Sequence, residues 1–339
     1  MIEVNNPLLE HVMSVSSLNL FAQSPAAYRE HILRPVRKET TYFIKGSAVD
    51  CLITEPGEFN NKFAVIRTGR PSGMMGDLCK LMHDYMQVNN DGLPVETLFN
   101  VAFKKVGFKL KEETVWKKYN AAEIQNYMRF LQNSVGKSVI TEFEYEQASD
   151  VVNMLQNSVH TKYYMKDCSA NTMVDVYDQL RVDFVYNDIK CKGFLDRVVV
   201  DHYAKTIQPI DLKTTGKSVL EFKNSFMKFG YFRQGAFYQT GIKAWQHQQP
   251  ELAGYELKNF MFIVAEMECM HLPIVYRMTD NDLKVSEFGG FTQIGSPVKG
   301  FQQLIEEVKW HRQTDVWDMR AEDCTSMKNT GAVELNMFK

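Results

Sequence analysis

The stretch GFLDRVVVDHYAKTIQPIDLKTT, residues 193–215, places Asp196 at the end of one apolar run and Asp211 and Lys213 at the end of the next. If the two runs pair as an antiparallel hairpin turning about Tyr203 and Ala204, Asp196 stands directly opposite Asp211. Side chains opposed in this way lie about 4.5–5.5 Å apart at Cβ, close enough for two carboxylates to share one cation. Lys213 lies two residues beyond Asp211, so strand alternation puts it on the same face. Two aspartates this close repel unless a cation, a proton or the lysine relieves them, and an all-oxygen site suits Mg²⁺ or Mn²⁺ rather than Zn²⁺. Spacing alone fits a solvated hairpin carrying a cross-strand acidic pair equally well.

Two further features bear on that choice. IQPIDLKTT is expected to be apolar on its other face through Ile207 and Pro209, with Leu212 as a neighbour, which makes it a buried strand that delivers its charges to a cleft. The helix expected after it carries Gln234 and Tyr238 four residues apart, hence on one face, among aromatic residues. Such a pair would support or position a carboxylate cluster; an amphipathic helix with a wet face has the same pattern.

The elements that must hold these residues follow from punctuation and period. VSSLNLFAQSPAAYREHILRP, residues 15–35, reads as a helix capped by Ser16 or Ser17, broken near SPAA and resumed as far as Pro35. TYFIKGSAVDCLITEPGEF has an apolar rhythm through Ala48, Cys51 and Leu52 that EPGEF ends. Residues 62–132 read as a helical insertion in which Lys104, Lys105, Lys109 and Lys111, then Lys117 and Lys118, interleave with aromatics. That pattern suits phosphate gripping or base stacking, and equally a solvated face. Thr141 and Glu144 form a capping box ahead of an apolar face through Val151, Met154, Leu155 and Val159. From about Met173 the pattern turns to strands, with one long helical stretch from Val219 to Gln246 and a later helix over PVKGFQQLIEEVKWHRQT. The polar tail after that helix is expected to be loosely ordered.

Composition bounds the rest. The chain has 339 residues, 45% of them hydrophobic, enough for a packed core in one large domain or two ordinary ones; of these a single domain, residues 1–339, is expected, with its central sheet in 173–280. No run of 18 apolar residues occurs and the N-terminus lacks a leader pattern, so a cytoplasmic protein without a membrane segment is expected. Six scattered cysteines give no zinc or iron–sulfur spacing. A net charge of −2 excludes a generally basic DNA coat, so any nucleic-acid contact must be local.

In order, GFLD, PIDLKTT and YFRQGAFY resemble the core of the PD-(D/E)xK nucleases, specifically the RecE-like (exonuclease VIII type) phage exonucleases. LFAQSPAAYREHIL, KGSAVDCLITEPGEF and GKSVITEFEYEQASDVVNMLQNS resemble that branch too, and the resemblance spans most of residues 15–280 outside the insertion. It implies an α/β fold with a mixed central sheet flanked by helices. By position it implies that Asp196 and Asp211, with the carbonyl of Leu212, hold Mg²⁺ or Mn²⁺, that Lys213 helps activate water, and that Gln234 and Tyr238 support the site. Two positions depart from the pattern. Asp50 stands where the family often has His, and could supply an oxygen ligand instead; where an acidic residue often precedes the core strands, the candidates are Gln179 and Asp178.

The resemblance further implies 5′-to-3′ degradation of linear duplex DNA ends to leave 3′ overhangs for recombination, a ring-like homo-oligomer, a single-strand annealing protein as partner, and the host cytoplasm if the chain is phage-encoded. A single-strand or flap nuclease would use the same chemistry. The departures at Asp50 and Gln179 also suit a DNA-binding replication or recombination protein with an impaired site.

Overall fold

Strands β1 (Val174–Tyr186) and β2 (Ile189–Asp201) are joined by a two-residue turn, Asn187–Asp188, both with positive φ, the geometry that matches the right-handed twist of an antiparallel pair. β2 pairs antiparallel with β3 (Thr206–Thr215), and the four residues 202–205 turn the chain about Tyr203 and Ala204 as the sequence requires. β3 then pairs in parallel with β4 (Met261–Glu266), which pairs antiparallel with β5 (Ile274–Arg277). The order is β1-β2-β3-β4-β5, with the two-residue strand Glu256–Leu257 also parallel to β3. It is the mixed sheet expected of the fold class. The structure is a computed structural model that describes residues 6–35, 41–67, 69–89, 92–166 and 173–333.

The chain divides into two units, Thr40–Val152 and the remainder, and the sheet belongs to the latter. In that unit α1 (Val15–Gln23) and α2 (Pro25–Leu33) meet at Ser24, which caps α2 ahead of Pro25. The cap of α1 is Ser14, in a reciprocal box with Ser17, rather than Ser16 or Ser17. The long helical stretch is in fact broken. After a 3-10 turn, α3 (Phe222–Lys228) stops, and α4 (Tyr231–His247) starts from Gly230 at φ 69. α5 (Asp280–Phe288), α6 (Phe301–Thr314) and α7 (Ala321–Thr330) follow; α7 lies in the tail expected to be loose.

α4 crosses from β3 to β4, as a parallel connection demands. Its Ile242 packs with Val182, Leu195, Val198, Ile207 and Phe262 on one face of the sheet. Its Phe237 packs with Phe21, Tyr28, Phe301 and Leu304, which anchors α1, α2 and α6. The opposite face of the sheet is covered too: Arg197, Val199, Ile210 and Ile263 are buried, and Arg197 donates to the Tyr164 carbonyl at 3.0 Å. Burial on both faces explains the near-continuous apolar runs of β2 and β4.

In the unit Thr40–Val152, helices Gly73–Gln87, Val95–Val106, Glu112–Tyr119 and Ala122–Asn133 close on a core of Leu78, Met82, Phe99, Val115, Tyr119 and Met128. Two short strands that the periodicity does not show, Phe63–Ile66 and Ser138–Thr141, pair in parallel. The Thr141–Glu144 box forms in both directions, at 2.9 and 3.1 Å, whereas Val159 lies beyond the helix end at Asn157 and is exposed. Phe103, Phe108 and Trp116 pack onto that core while Lys104, Lys109, Lys111, Lys117 and Lys118 are exposed. Among the described residues no helix is long and apolar enough to cross a membrane.

Candidate active site

The β2–β3 ladder runs from Asp201↔Thr206 to Arg197↔Ile210, and the next step of that register sets Asp196 against Asp211. There the two backbones stop pairing. The Leu212 N–H goes instead to the Asp196 carboxylate, at 2.7 Å to Oδ2, while β3 continues alongside β4 with Asp211↔Phe262 and Lys213↔Val264. A side chain thus replaces a ladder bond where the strands part, and both aspartates stay on one short piece of sheet.

Asp211 is 1% exposed. Lys213 Nζ forms an ion pair with its Oδ2, and Gln234 Nε2, reaching down from α4, donates to Oδ1 at 2.7 Å. Burial pushes the Asp211 carboxyl up from its ordinary value, with Lys213 pulling back. Burial also opposes the Lys213 ammonium, but the Asp211 and Asp196 carboxylates outweigh it and raise its pKa. Lys213 Nζ further lies 5.0 Å from the Tyr231 ring centroid, a cation–π contact. Tyr238 completes the stripe. Burial, then the nearby Asp211, pushes its hydroxyl up to about 12, with Gln234 pulling back. The stripe fits under α4 because residue 193 is glycine: a Cβ there would lie 2.8 Å from Tyr238 Cε1.

Asp196, Asp211, Lys213, Gln234 and Tyr238 are therefore brought together. Tyr231, which the sequence reading did not single out, joins them; its signal is the spacing Tyr231, Gln234, Tyr238 at three and four residues. One expectation about the strand is corrected. Ile207 and Pro209 share the face of Asp211, as period-two alternation demands, and the opposite face carries Gln208, Ile210 and Leu212, so β3 is buried on both sides.

Asp178 is held by Arg197 in a two-pronged ion pair, 2.6 Å from Nε to Oδ1 and 2.8 Å from Nη2 to Oδ2. Gln179 stands at the register position facing Asp196, where the β1–β2 pairing skips a step, and its φ of 49 is a left-handed conformation unusual within a strand. Asp50 lies in the helix Thr41–Thr54 of the other unit, where its carbonyl accepts from Thr54 Oγ1 at 2.9 Å.

The donors suit a hard divalent cation. Two carboxylates and the Leu212 carbonyl are all oxygen, and Asp211 is a wholly buried carboxylate whose burial disfavours its charge. Among the described residues no group of three or more His, Cys, Asp and Glu could hold a metal. Mg²⁺ is compatible with so few protein ligands because it keeps several waters and takes one or two carboxylates together with substrate phosphates.

Among solved structures the chain is similar to a Eubacterium rectale protein provisionally assigned as an exonuclease, at 14% identity over 96% of this chain and 91% of that one, with a TM-score of 0.48. It is also similar to protein VC1899 of Vibrio cholerae, at 11% identity over 86% of this chain and 60% of that one, with a TM-score of 0.17. No curated protein matches it. Residues 14–330 match the family described as a PDDEXK-like domain of unknown function (DUF3799). With a match running over almost its whole length, the chain belongs to this PDDEXK-like family, within the PD-(D/E)xK nuclease superfamily.

Proposed function

We propose that this protein is a divalent-metal-dependent exonuclease that hydrolyses DNA phosphodiesters from linear duplex ends, 5′ to 3′, leaving 3′ overhangs. The observation that carries the reading is the buried Asp211 carboxylate held between Lys213 and Gln234, with Asp196 on the adjoining Leu212 N–H. Asp196, Asp211 and the Leu212 carbonyl would hold the cation, Mg²⁺ or Mn²⁺, which supplies positive charge at the scissile phosphate and acidifies water. Lys213, beside both carboxylates, orients the attacking water and offsets negative charge as the phosphate is attacked. Gln234 fixes the Asp211 carboxylate in one orientation, and Tyr238 lies one turn further along the same helix face. The resemblance extends this reading to a single nuclease domain with residues 62–132 as its insertion, a homo-oligomer, and a single-strand annealing partner.

A second reading is favoured by one observation. Asp178 is already committed to Arg197 and Gln179 is uncharged, so the strand facing Asp196 adds no carboxylate to the site. That arrangement suits a DNA-binding protein with an impaired site. End-labelled duplex, single-stranded and circular DNA, each with Mg²⁺ or EDTA, separate the readings. Release from linear duplex alone, starting at the 5′ end and abolished by EDTA, supports the first; cutting of single strands or flaps replaces it with another nuclease; binding without cleavage supports the second.

A further inference from the structure

On α4, Gln234 points to Asp211, but the preceding residue, Arg233, points to a different cavity. This cavity, of about 350 Å³, lies where the ends of α1 and α3 meet the starts of α4, α6 and α7. Its wall carries four cations, Lys228, Arg233, Lys299 and Arg320, and the exposed ring of Phe229. Two carboxylates answer them. Glu307 and Glu322 pair with Lys299 at 2.8 and 3.3 Å, and Glu322 stands 3.9 Å from Arg320, which leaves positive charge in excess.

Arg233 is the unusual member. Its Nε donates to Asn19 Oδ1 at 2.9 Å, its Nη1 faces the Lys299 carbonyl at 3.4 Å, and its guanidinium lies 4.5 Å from the Phe232 ring centroid. These partners are neutral. Burial alone pushes its pKa down to about 10, and withdrawing a cation from water without a counter-charge is costly. The backbone is also shaped around it: at Gly230, φ 69, a Cβ would lie 2.8 Å from Arg233 Nη2 and 2.6 Å from Asn19 Oδ1. The break between α3 and α4 thus makes room for a guanidinium that has no anionic partner among the described residues.

Two ring contacts connect this cavity to the nuclease centre. Lys213 Nζ is 5.0 Å from the Tyr231 ring, and Tyr231 is 5.7 Å from Phe229, centroid to centroid. Phosphates of one strand follow each other at about 3.4 Å of helix axis, so a strand with its scissile phosphate at Lys213 brings a phosphate only a few nucleotides away to Arg233. We propose that the Arg233 cavity takes a phosphate of the DNA strand being cut, a few nucleotides from the scissile bond, with Phe229 as a stacking wall for the adjoining base. The inference rests on the DNA-hydrolysis reading above. It adds a site to that reading, one that sets the register of the strand and hence the length of the product.

The test is binding in EDTA, so that cleavage plays no part. Duplexes with a single uncharged methylphosphonate linkage, moved stepwise from the end, are titrated against wild type, Arg233→Gln and Lys228→Gln. Wild type should lose about tenfold in affinity at one or two adjacent positions, as for a hydrogen bond to a charged group. Arg233→Gln should bind unmodified DNA about tenfold more weakly, stop sensing those positions, and lower the slope of log affinity against log salt by about one. Lys228→Gln, at an exposed residue that leaves folding intact, should shrink the same positional effect. Ends bearing 5′-phosphate, 3′-phosphate or hydroxyl then distinguish a terminal phosphate from an internal one. Wild-type affinity and an unchanged positional profile in both variants would overturn the proposal. If wild type neither binds nor cuts DNA, the DNA-hydrolysis reading fails; inorganic phosphate still probes the cavity, because it should raise the melting temperature of wild type and not of Arg233→Gln, and an equal rise in both refutes it.

Discussion

Gln234 Nε2 donates to Asp211 Oδ1 across 2.7 Å and so ties the crossing helix to the strand that carries the buried carboxylate. With Lys213 on the other oxygen, Asp211 is held in one orientation before any ligand arrives. Gln234→Ala should therefore lower kcat by roughly tenfold, the order expected for one lost hydrogen bond to a charged group, with KM for DNA little changed. Gln234→Glu, which sets a like charge against Asp211, should cost more than the alanine. Asp211→Asn should abolish Mg²⁺-dependent cleavage while retaining DNA binding. Cleavage near the wild-type rate in Asp211→Asn would remove this residue from the centre.

Lys213 has a structural part as well as a chemical one. Lys213→Met should cut the cleavage rate by roughly 10²-fold or more. It also leaves the Asp211 carboxylate buried without its partner, and breaking a buried pair costs about 3–5 kcal/mol. The double variant Lys213→Met with Asp211→Asn should recover most of the stability in urea melts and none of the activity. An unchanged melt in the single variant would show that the pair does not form in solution.

Gly193→Ala tests the packing beneath the stripe. The new Cβ would meet Tyr238 Cε1 at 2.8 Å and Cδ1 at 3.0 Å, so the ring must shift. Overpacking of this kind costs about 1–3 kcal/mol, and cleavage should fall along with stability. In a Tyr238→Ala background the same substitution should add little to either loss, a non-additivity expected of residues in contact. Additive losses would place the two effects elsewhere.

Acid stability should report on His11. Its pKa is lowered to about 4, first by burial and then by Arg312, with Lys192 and His31 adding smaller repulsions. The unfolded chain takes up the proton near pH 6.5 and the folded one near pH 4. Stability from this group is therefore level above about pH 6.5, falls as pH drops from there to about 4, and is level again below. His11→Phe should flatten the dependence of the melting temperature on pH across that window; a slope equal to wild type would assign the dependence to other groups.

The register of the β2–β3 hairpin is legible in the sequence, since a turn at residues 202–205 and strand alternation together decide which residues face each other. Lys213 beside Asp211, Gln234 and Tyr238 on one helix face, and the Thr141–Glu144 box were legible for the same reason: each pair lies within four residues, where backbone geometry alone sets direction. Tertiary structure decided what depends on distant partners. Phe63–Ile66 and Ser138–Thr141 are too short to show a period and exist as strands only through each other. Gly230 weakens the helix locally, but the left-handed break there depends on Asn19 and Arg233, which close around the glycine. That Asp178 meets a guanidinium follows from Arg197 on the next strand, a partner 19 residues away in sequence. Arg233 looks like any other charge on an amphipathic helix until α1, α6 and α7 surround it, because burial and the choice of neutral partners are properties of the packed molecule.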